Sequence, residues 1–256
     1  MAAGGDGLPT GGGIIPEALP VRQTGGWRSQ VRADVPRMER RDLESRRDGW
    51  LVRGRWSKAD LWTSSLPDGT PVVVKDFAGK PWISRPWALL QVAREARFLL
   101  LLAGTGVAPR LLGRIGRDAL VLEHLGGTPL HRHRKRDPRR AAYLPRIAAA
   151  LEKVHALGIV HLDLRGRENV HVAEGDRVVL LDWAGALHFP PGSLGHRLFF
   201  PWLRRIDEAA LVKWKVMLAP ETITDEDRRF LSRYARWRRL WPFNRKGLGD
   251  SSGVAR

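Results

Sequence analysis

The sequence predicts an α+β protein, with a small sheet-based part ahead of a mostly helical part and a cleft between them. Two observations predict this order. Strand-like stretches, interrupted by one helical stretch, lie between residues 50 and 125, whereas helical stretches dominate the chain after residue 140. Glycine and proline breaks separate them. Clefts between two such parts are favoured ligand sites, so we expect the functional residues to lie there.

Strands and one helix make up the first part. Stretches 52–62 and 71–77 are strand-like, and the Leu-Pro-Asp-Gly sequence at 66–69 provides the turn of a β-hairpin. Apolar residues at helical spacing then predict a helix over 88–103, which stops at a Gly-Thr-Gly sequence. Two further strands are predicted at 110–115 and 119–123.

The second part is predicted to begin with a long helix over 141–157, which Gly158 ends as a left-handed cap. Two short strands follow at 170–172 and 178–181, separated by a Glu-Gly-Asp turn. The remaining sequence is helical in pattern. The strands therefore precede most of the helices.

The two ends of the chain lack the periodicity of packed elements. Residues 1–47 are rich first in Gly and Pro and then in charged side chains, which predicts a mobile tail with one charged helix around 35–46. A second flexible tail is predicted over 244–256. The sheet part is expected over 48–125 and the helical part over 126–243.

Length and composition fit a folded protein of one domain or two small lobes. The chain has 256 residues, 43% of them hydrophobic and 28% charged, which excludes a wholly disordered protein. Because it contains no cysteine, a disulfide-stapled scaffold is excluded. Lys and Arg number 44 against 27 Asp and Glu, a formal net charge of +17. This excess predicts an anionic partner: nucleic acid, phospholipid headgroups, a nucleotide or a phosphorylated sugar.

The sequence favours a cytoplasmic protein. No apolar run approaches the roughly 20 residues that span a bilayer. The N-terminus also lacks the basic and then apolar layout of a secretory signal. The cytoplasm is therefore the expected compartment.

The segment 161–169 is the most distinctive local sequence. It has the sequence His-Leu-Asp-Leu-Arg-Gly-Arg-Glu-Asn and directly follows the long predicted helix. Downstream, Asp182 ends an apolar strand; upstream, Lys75 ends a β-branched strand and Glu95 lies in the first long helix. Taken singly, each residue has an ordinary alternative. A strand-end lysine is usually solvated, a helix glutamate can pair with a neighbouring arginine, and His161 can be structural.

Together, these residues resemble the protein-kinase-like fold, in which a strand lysine, a helix glutamate, an H-x-D…N loop and a strand-end aspartate occur in this order. The similarity covers residues 50–215. It implies a two-lobed fold, with a small antiparallel-sheet N-lobe containing one helix and a reduced, mostly helical C-lobe. It also implies ATP and Mg²⁺ as cofactors and transfer of the γ-phosphoryl group to a hydroxyl.

The resemblance assigns catalytic roles that suit phosphoryl transfer, a reaction that depends on positioning and charge. Lys75 would pair with the α- and β-phosphates, and Glu95 would hold that lysine. Asp163 would accept the proton of the attacking hydroxyl or orient that hydroxyl. Arg165, two residues beyond, would contact the moving phosphoryl group.

The resemblance assigns Mg²⁺ to Asn169 and Asp182, whose oxygen atoms suit this metal. Asn169 stands six residues after Asp163, one more than is usual in the family, so Glu168 remains an alternative ligand. The usual D-F-G sequence is Asp-Trp-Ala at 182–184. Only 74 residues follow Asp182, too few for the docking helices of eukaryote-type protein kinases. The chain therefore looks more like the compact lipopolysaccharide core (Kdo/heptose) kinases and the RIO-type serine/threonine kinases.

Two segments are expected to bind the nucleotide. The phosphate-covering loop would be 53–58, but it contains one glycine, Gly54, in place of a G-x-G-x-x-G sequence. Main-chain N–H groups and the side chain of Ser57 or Lys58 would contact phosphate there. By similarity to the family, Glu123 and Leu125 belong to the hinge and would bind adenine through their main chain.

The acceptor stays open between a protein Ser/Thr and a sugar of a membrane glycolipid. A cationic loop at 131–136 would attract an anionic acceptor. Its two histidines are an alternative metal site that lacks a third ligand. Two other functions remain open. The irregular spacing of Asn169 favours an inactive pseudokinase that binds a nucleotide or a partner, and the net charge allows a nucleic-acid-binding protein, although no recognised motif accompanies it.

An aromatic and basic helix is predicted near the C-terminus. The acidic sequence at 224–227 marks its start. Phe230, Tyr234, Trp237 and Trp241 then recur every three or four residues among arginines. This pattern favours an aromatic stripe packed on the helical part. The alternative is an interfacial helix on an anionic membrane, which would bring the protein to the inner face of the cell membrane.

Overall fold

A computed structural model describes residues 35–56, 58–133 and 138–239 of the chain. The protein is α+β, as the sequence predicts. Five strands form an antiparallel sheet: β1 (Gly49–Val52), β2 (Asp60–Ser65), β3 (Pro71–Asp76), β4 (Leu111–Ile115) and β5 (Ala119–Glu123). Their spatial order is β1-β2-β3-β5-β4, which puts β3 at the centre.

Helices dominate the chain after this sheet. The α-helices of the described residues are α1 (Arg40–Ser45), α2 (Arg85–Leu101), α3 (Tyr143–Ala156), α4 (Leu194–Leu198), α5 (Phe200–Leu218) and α6 (Asp225–Arg239). A small sheet contains β6 (Thr128–Pro129), β8 (Val170–Val172) and β9 (Val178–Leu180). In addition, β7 (Ile159–Val160) pairs with β10 (Leu187–His188).

Alternation along β3 decides which side chains face α2. Val72 and Val74 are fully buried in a cluster on one face of the sheet, together with Leu43 and Trp62. Lys75 lies opposite Leu120 of β5, which belongs to the core that α2 and α3 share. Because successive strand residues point to opposite faces, Lys75 is directed towards α2.

The prediction of one strand over 52–62 is wrong. The chain forms β1 and β2 there, paired antiparallel with Trp50 opposite Trp62. Gly54 permits the tight return between them, because a Cβ on it would lie 2.2 Å from the carbonyl oxygens of Lys58 and Ala59. The strand-like composition on both sides of Gly54 concealed this turn. Ser57 itself lies outside the described residues.

The prediction of a mobile tail through residue 47 is also wrong for its last part. The predicted charged helix is present as α1, and Leu43 on it is 2% exposed. Ser64 Oγ donates to the carbonyl of Leu43 at 2.8 Å, and the Arg40 guanidinium pairs with Asp76 and Asp118. A helix of six residues is too short to show apolar periodicity in the sequence. The predicted tails at 1–34 and 244–256 lie outside the described residues.

Helical periodicity locates the longer helices closely. The helix predicted over 88–103 is α2, which begins earlier because Pro86 fits its first turn. The helix predicted over 141–157 is α3, and Gly158 after it has a φ of 69°, the left-handed conformation of the predicted cap. Across the described ranges, no helix has the length and apolar character that a membrane span requires.

Candidate active site

Lys75 lies at the centre of a charge cluster where the sheet meets the helical part. Its Nζ is 2.6 Å from Oε2 of Glu95, which α2 directs towards β3. The same Nζ donates to Oδ1 of Asp182 at 3.3 Å. The structure thus brings together three predicted site residues from three elements that are far apart in the chain.

Burial and opposite charge compete at this cluster. Lys75 and Glu95 are largely shielded from solvent, whereas about half of the Asp182 side chain is exposed. Burial, the largest influence, lowers the pKa of Lys75, but Glu95 and Asp182 outweigh it and hold this pKa above its ordinary value. Burial also raises the pKa of Glu95, while the Lys75 ammonium opposes that rise. Lys75 is therefore a fixed cation beside a half-exposed carboxylate.

Asp182 follows β9 in a left-handed conformation, with a φ of 64°. Asp is among the residues other than glycine that adopt this region most readily. Trp183 follows it and is fully buried, with its Nε1 donating to the carbonyl of Leu180 at 2.9 Å and its ring centroid 4.5 Å from that of His161. Trp183 is therefore anchored in the core.

Arg94 connects α2 to the segment after Asp182. Its Nε donates to the carbonyl of Ala184 at 2.7 Å, and its Nη2 donates to the carbonyl of Ala186 at 2.5 Å. From the sequence, a neighbouring arginine such as Arg94 was an alternative ion-pair partner for Glu95. Its actual contacts are main-chain carbonyls. From one helix, Glu95 therefore binds Lys75, and Arg94 binds the segment that follows Asp182.

The loop 161–169 brings Asn169 against Asp163. Asn169 Nδ2 donates to Oδ2 of Asp163 at 3.1 Å and to its main-chain carbonyl at 2.8 Å. Gly166 permits this close approach, because a Cβ on it would lie 2.7 Å from Asn169 Nδ2. Glu168 points elsewhere and pairs with His131 and Arg132. Asn169, and not the alternative ligand Glu168, therefore lies beside Asp163.

Main-chain bonds attach this loop to the Asp182 segment. Leu181 N–H donates to the carbonyl of Asn169 at 2.9 Å. Asp163 N–H donates to His161 Nδ1 at 3.3 Å, so the proton of the neutral ring lies on Nε2, which donates to the carbonyl of Leu181 at 3.0 Å. His161 therefore ties Asp163 to the residue directly before Asp182. These hydrogen bonds give His161 a structural role, which was the ordinary alternative for this residue in the sequence.

Asp207 on α5 is a site residue that the sequence analysis missed. It is fully buried and accepts hydrogen bonds from His161 N–H and Leu162 N–H, both at 2.8 Å. His155 Nε2 lies 3.1 Å from the same carboxylate. Leu162 has a φ of 67°, a strained value for leucine, and Asp207 holds this conformation.

Two further α5 side chains bind the same loop. Trp214 Nε1 donates to the carbonyl of Leu164 at 3.0 Å, and Lys213 Nζ donates to the carbonyl of Arg165 at 2.8 Å. A signal for Asp207 was present in the sequence, because it occupies a buried position of an apolar helical stripe with Leu203, Ala210 and Trp214. A lone carboxylate in such a stripe indicates buried hydrogen-bond donors opposite it.

In the predicted phosphate loop, the main-chain groups of Gly54 form hydrogen bonds within the protein. Gly54 N–H donates to Oδ1 of Asp60 at 2.8 Å, and Lys80 Nζ donates to the Gly54 carbonyl at 2.8 Å. The N–H of Gly54 is thus engaged within the protein, contrary to its expected role as a phosphate contact. The predicted contact through Ser57 lies outside the described residues.

At the predicted hinge, the side chain of Glu123 is fixed by Arg110 N–H at 3.0 Å and by Arg177 Nη2 at 2.7 Å. The Glu123 N–H donates to the carbonyl of Arg110. The carbonyl of Leu125 accepts from Glu174 N–H at 3.1 Å. The Glu123 N–H and the Leu125 carbonyl are therefore both engaged within the protein.

The donor set beside Asp163 suits Mg²⁺. In the described part of the chain, no three His, Asp or Glu side chains form a metal-ion cluster. Because Nδ2 of Asn169 donates to Asp163, its Oδ1 is directed elsewhere and provides one neutral oxygen, and Asp182 provides a carboxylate. Mg²⁺ keeps several waters and takes phosphate oxygens, so it needs few protein ligands. Arg165 lies within the loop 161–169; it is half-buried, and its carbonyl accepts a hydrogen bond from Lys213 Nζ.

The two basic segments have separate structural roles in the described residues. His131 Nδ1 lies 3.0 Å from the carbonyl of Arg167, whereas His133 Nε2 lies 3.2 Å from Thr128 Oγ1, so the two histidines have different partners. Residues 134–137 lie outside the described ranges. On α6, Phe230 and Tyr234 are half-buried, which favours the packed stripe. The side chain of Trp237 and all of Trp241 lie outside the described residues.

Comparison with known proteins does not assign this chain to a family. No protein-family model matches the chain, and no curated protein matches it.

Proposed function

We propose that the protein is an ATP- and Mg²⁺-dependent kinase with a two-lobed, protein-kinase-like fold, which transfers the γ-phosphoryl group to a hydroxyl. The observation that carries the proposal is the convergence of Glu95 and Asp182 on the buried ammonium of Lys75. A lysine held by a helix carboxylate beside a second, half-exposed carboxylate suits a triphosphate with its metal ion.

Each residue of the cluster has a definite chemical task in this reaction. Lys75 neutralises the α- and β-phosphates, and Glu95 keeps its ammonium in position. Asp163 faces the solvent side and accepts the proton of the acceptor hydroxyl as its oxygen attacks the γ-phosphorus. The bond from that phosphorus to the β-phosphate oxygen breaks, and ADP leaves.

Asn169 and Asp182 would hold the metal ion. Bound Mg²⁺ supplies charge neutralisation on the phosphate oxygens. Asn169 also orients Asp163 through its amide, and Asp207 fixes the loop that carries both residues. Two hydroxyl acceptors remain proposals: a protein Ser/Thr and a sugar of a membrane glycolipid.

The direct test is ADP formation from Mg-ATP, with a protein mixture and a lipid extract offered as acceptors. We expect turnover by the natural chain and a loss of at least about 100-fold in Asp163→Asn, because a positioned base contributes at least that much. Asp163→Asn should still bind Mg-ATP. The control is Asp225→Asn on α6, which removes an exposed carboxylate and should leave turnover unchanged.

Two outcomes would overturn the proposal. Mg-ATP binding without turnover on either acceptor would indicate an inactive nucleotide-binding pseudokinase. Salt-sensitive binding to random duplex DNA without any response to nucleotide would instead indicate a nucleic-acid-binding protein.

A further inference from the structure

Large apolar side chains stand exposed around the start of α2. Trp82 is 80% exposed and Trp87 is 58% exposed, and Ile83 and Leu90 are exposed as well. Trp87 and Leu90 are three residues apart on α2, so they share one side of that helix, and Trp82 and Ile83 lie in the short 3-10 turn directly before it. Soluble proteins rarely expose clusters of this kind unless the surface binds a partner.

The loop between β1 and β2 adds a third exposed tryptophan. Trp56 is 73% exposed and has a φ of 53°, which is unusual for so large a residue. Lys80 ties this loop to the start of α2, because its Nζ binds both the Gly54 carbonyl at 2.8 Å and Asp60 Oδ1 at 2.7 Å. The loop and the segment before α2 are therefore neighbours. We call the side chains of Trp56, Trp82, Ile83, Trp87 and Leu90 the tryptophan face.

The charged residues of these two segments are all basic. Residues 49–59 and 77–94 contain no Asp or Glu. Asp60, the acidic residue closest to the loop, is already paired with Lys80. The exposed cations of these segments include Arg53, Arg55, Lys58 and Arg85. The tryptophan face thus combines bulky apolar groups with unopposed positive charge.

We propose that the tryptophan face docks on an anionic membrane surface. Tryptophan prefers the headgroup layer, where its ring is buried and its N–H remains hydrated, and adjacent Lys and Arg bind lipid phosphates. The apolar groups project from a loop and from a helix start, so they suit insertion into a fluid layer that needs no matching shape. The proposal is separate from the kinase chemistry, and it uses a different surface from the C-terminal helix.

The experiment measures binding of the full chain to vesicles by flotation, with phosphatidylglycerol mixed into phosphatidylcholine or with phosphatidylcholine alone. We expect binding only to the anionic vesicles, weakened by salt. Trp82→Ala/Trp87→Ala should lower the partition coefficient about tenfold or more, and Trp82→Phe/Trp87→Phe should retain part of the binding. Thermal unfolding checks that each variant is folded.

A matched pair of charge variants tests whether the attraction is local. Arg55→Ala/Arg85→Ala should weaken binding about fivefold per cation, whereas Arg229→Ala/Arg233→Ala removes the same charge from α6 and should change binding little. Equal losses from the two pairs would show a diffuse effect of net charge and overturn the proposal. Unchanged binding of the tryptophan-to-alanine variant would overturn it as well. So would self-association of the chain through this face without vesicle binding.

Discussion

The buried ion pair between Lys75 and Glu95 determines the behaviour of the candidate site at the level of single residues. Neither charge would be stable alone at this depth, because desolvation of an unpaired ion costs several kcal/mol. Glu95 Oε2 and Lys75 Nζ are close enough, at 2.6 Å, to offset that cost for each other. Glu95 therefore fixes the position of the Lys75 ammonium, and the half-exposed Asp182 forms the solvent side of the cluster.

The Lys75→Met variant tests this pair through the pH dependence of stability. Without the ammonium, burial dominates and raises the pKa of Glu95 in the folded state. The folded protein then binds more protons than the unfolded chain, so the free energy of unfolding falls as pH rises above the unfolded carboxyl pKa of about 4.3. We expect urea denaturation to show a loss of about 1–3 kcal/mol between mildly acidic and mildly alkaline pH.

The double variant Lys75→Met/Glu95→Gln is the control, because it lacks the carboxyl that titrates. Its pH profile should be flatter than that of Lys75→Met by the amount attributed to Glu95. Parallel profiles of the single and double variants would contradict the account of this pair.

At the level of elements, α5 organises the candidate catalytic loop. Asp207, Lys213 and Trp214 all hydrogen-bond to main-chain groups between residues 161 and 165. A loop bound in this way keeps Asp163 in place although its own side chain is exposed. The helix therefore supplies the rigidity that a positioned acid or base requires.

Removal of the Asp207 carboxylate should be costly. Asp207→Ala leaves two buried N–H groups without an acceptor, and we expect the free energy of unfolding to fall by about 3–5 kcal/mol. Glu208→Ala, which removes the neighbouring carboxylate from a surface pair with Arg204, should cost less than about 1 kcal/mol. At a temperature where Asp207→Ala stays folded, turnover should fall more than Mg-ATP affinity does. Similar losses for both variants would contradict the positioning role of Asp207.

Several helices and strands could be predicted from the sequence. Helical periodicity and turn glycines located α2, α3, β4, β5 and the cap at Gly158, because these signals are local. The turn at Gly54 was missed, because it depends on a close main-chain approach. The short helix α1 was predicted, but its packing on the sheet was not, because it packs through one apolar side chain, Leu43. Similarly, the role of Asp207 depends on which main-chain groups face it.

At the level of the whole molecule, the sheet and the helical part are joined through the site itself. Lys75 reaches from β3 to Asp182, and Arg94 reaches from α2 to Ala184 and Ala186. Leu180 N–H also donates to the carbonyl of Val107 at 2.8 Å. No local sequence pattern encodes a contact between residues 107 positions apart. The convergence of Lys75, Glu95 and Asp182 could therefore be predicted only from the order of the motifs along the chain.

Calorimetric titration of the full chain with ATP, with and without Mg²⁺, tests most directly whether Lys75, Glu95 and Asp182 form a pocket for Mg-ATP. We predict that Mg-ATP binds, that Lys75→Met weakens binding about tenfold or more, and that Asp182→Asn removes the advantage that Mg²⁺ gives. Lys153→Met, which removes the same charge from the exposed side of α3, should bind as the natural chain does. Equal affinities for all of these proteins, or no binding by the natural chain, would contradict the claim.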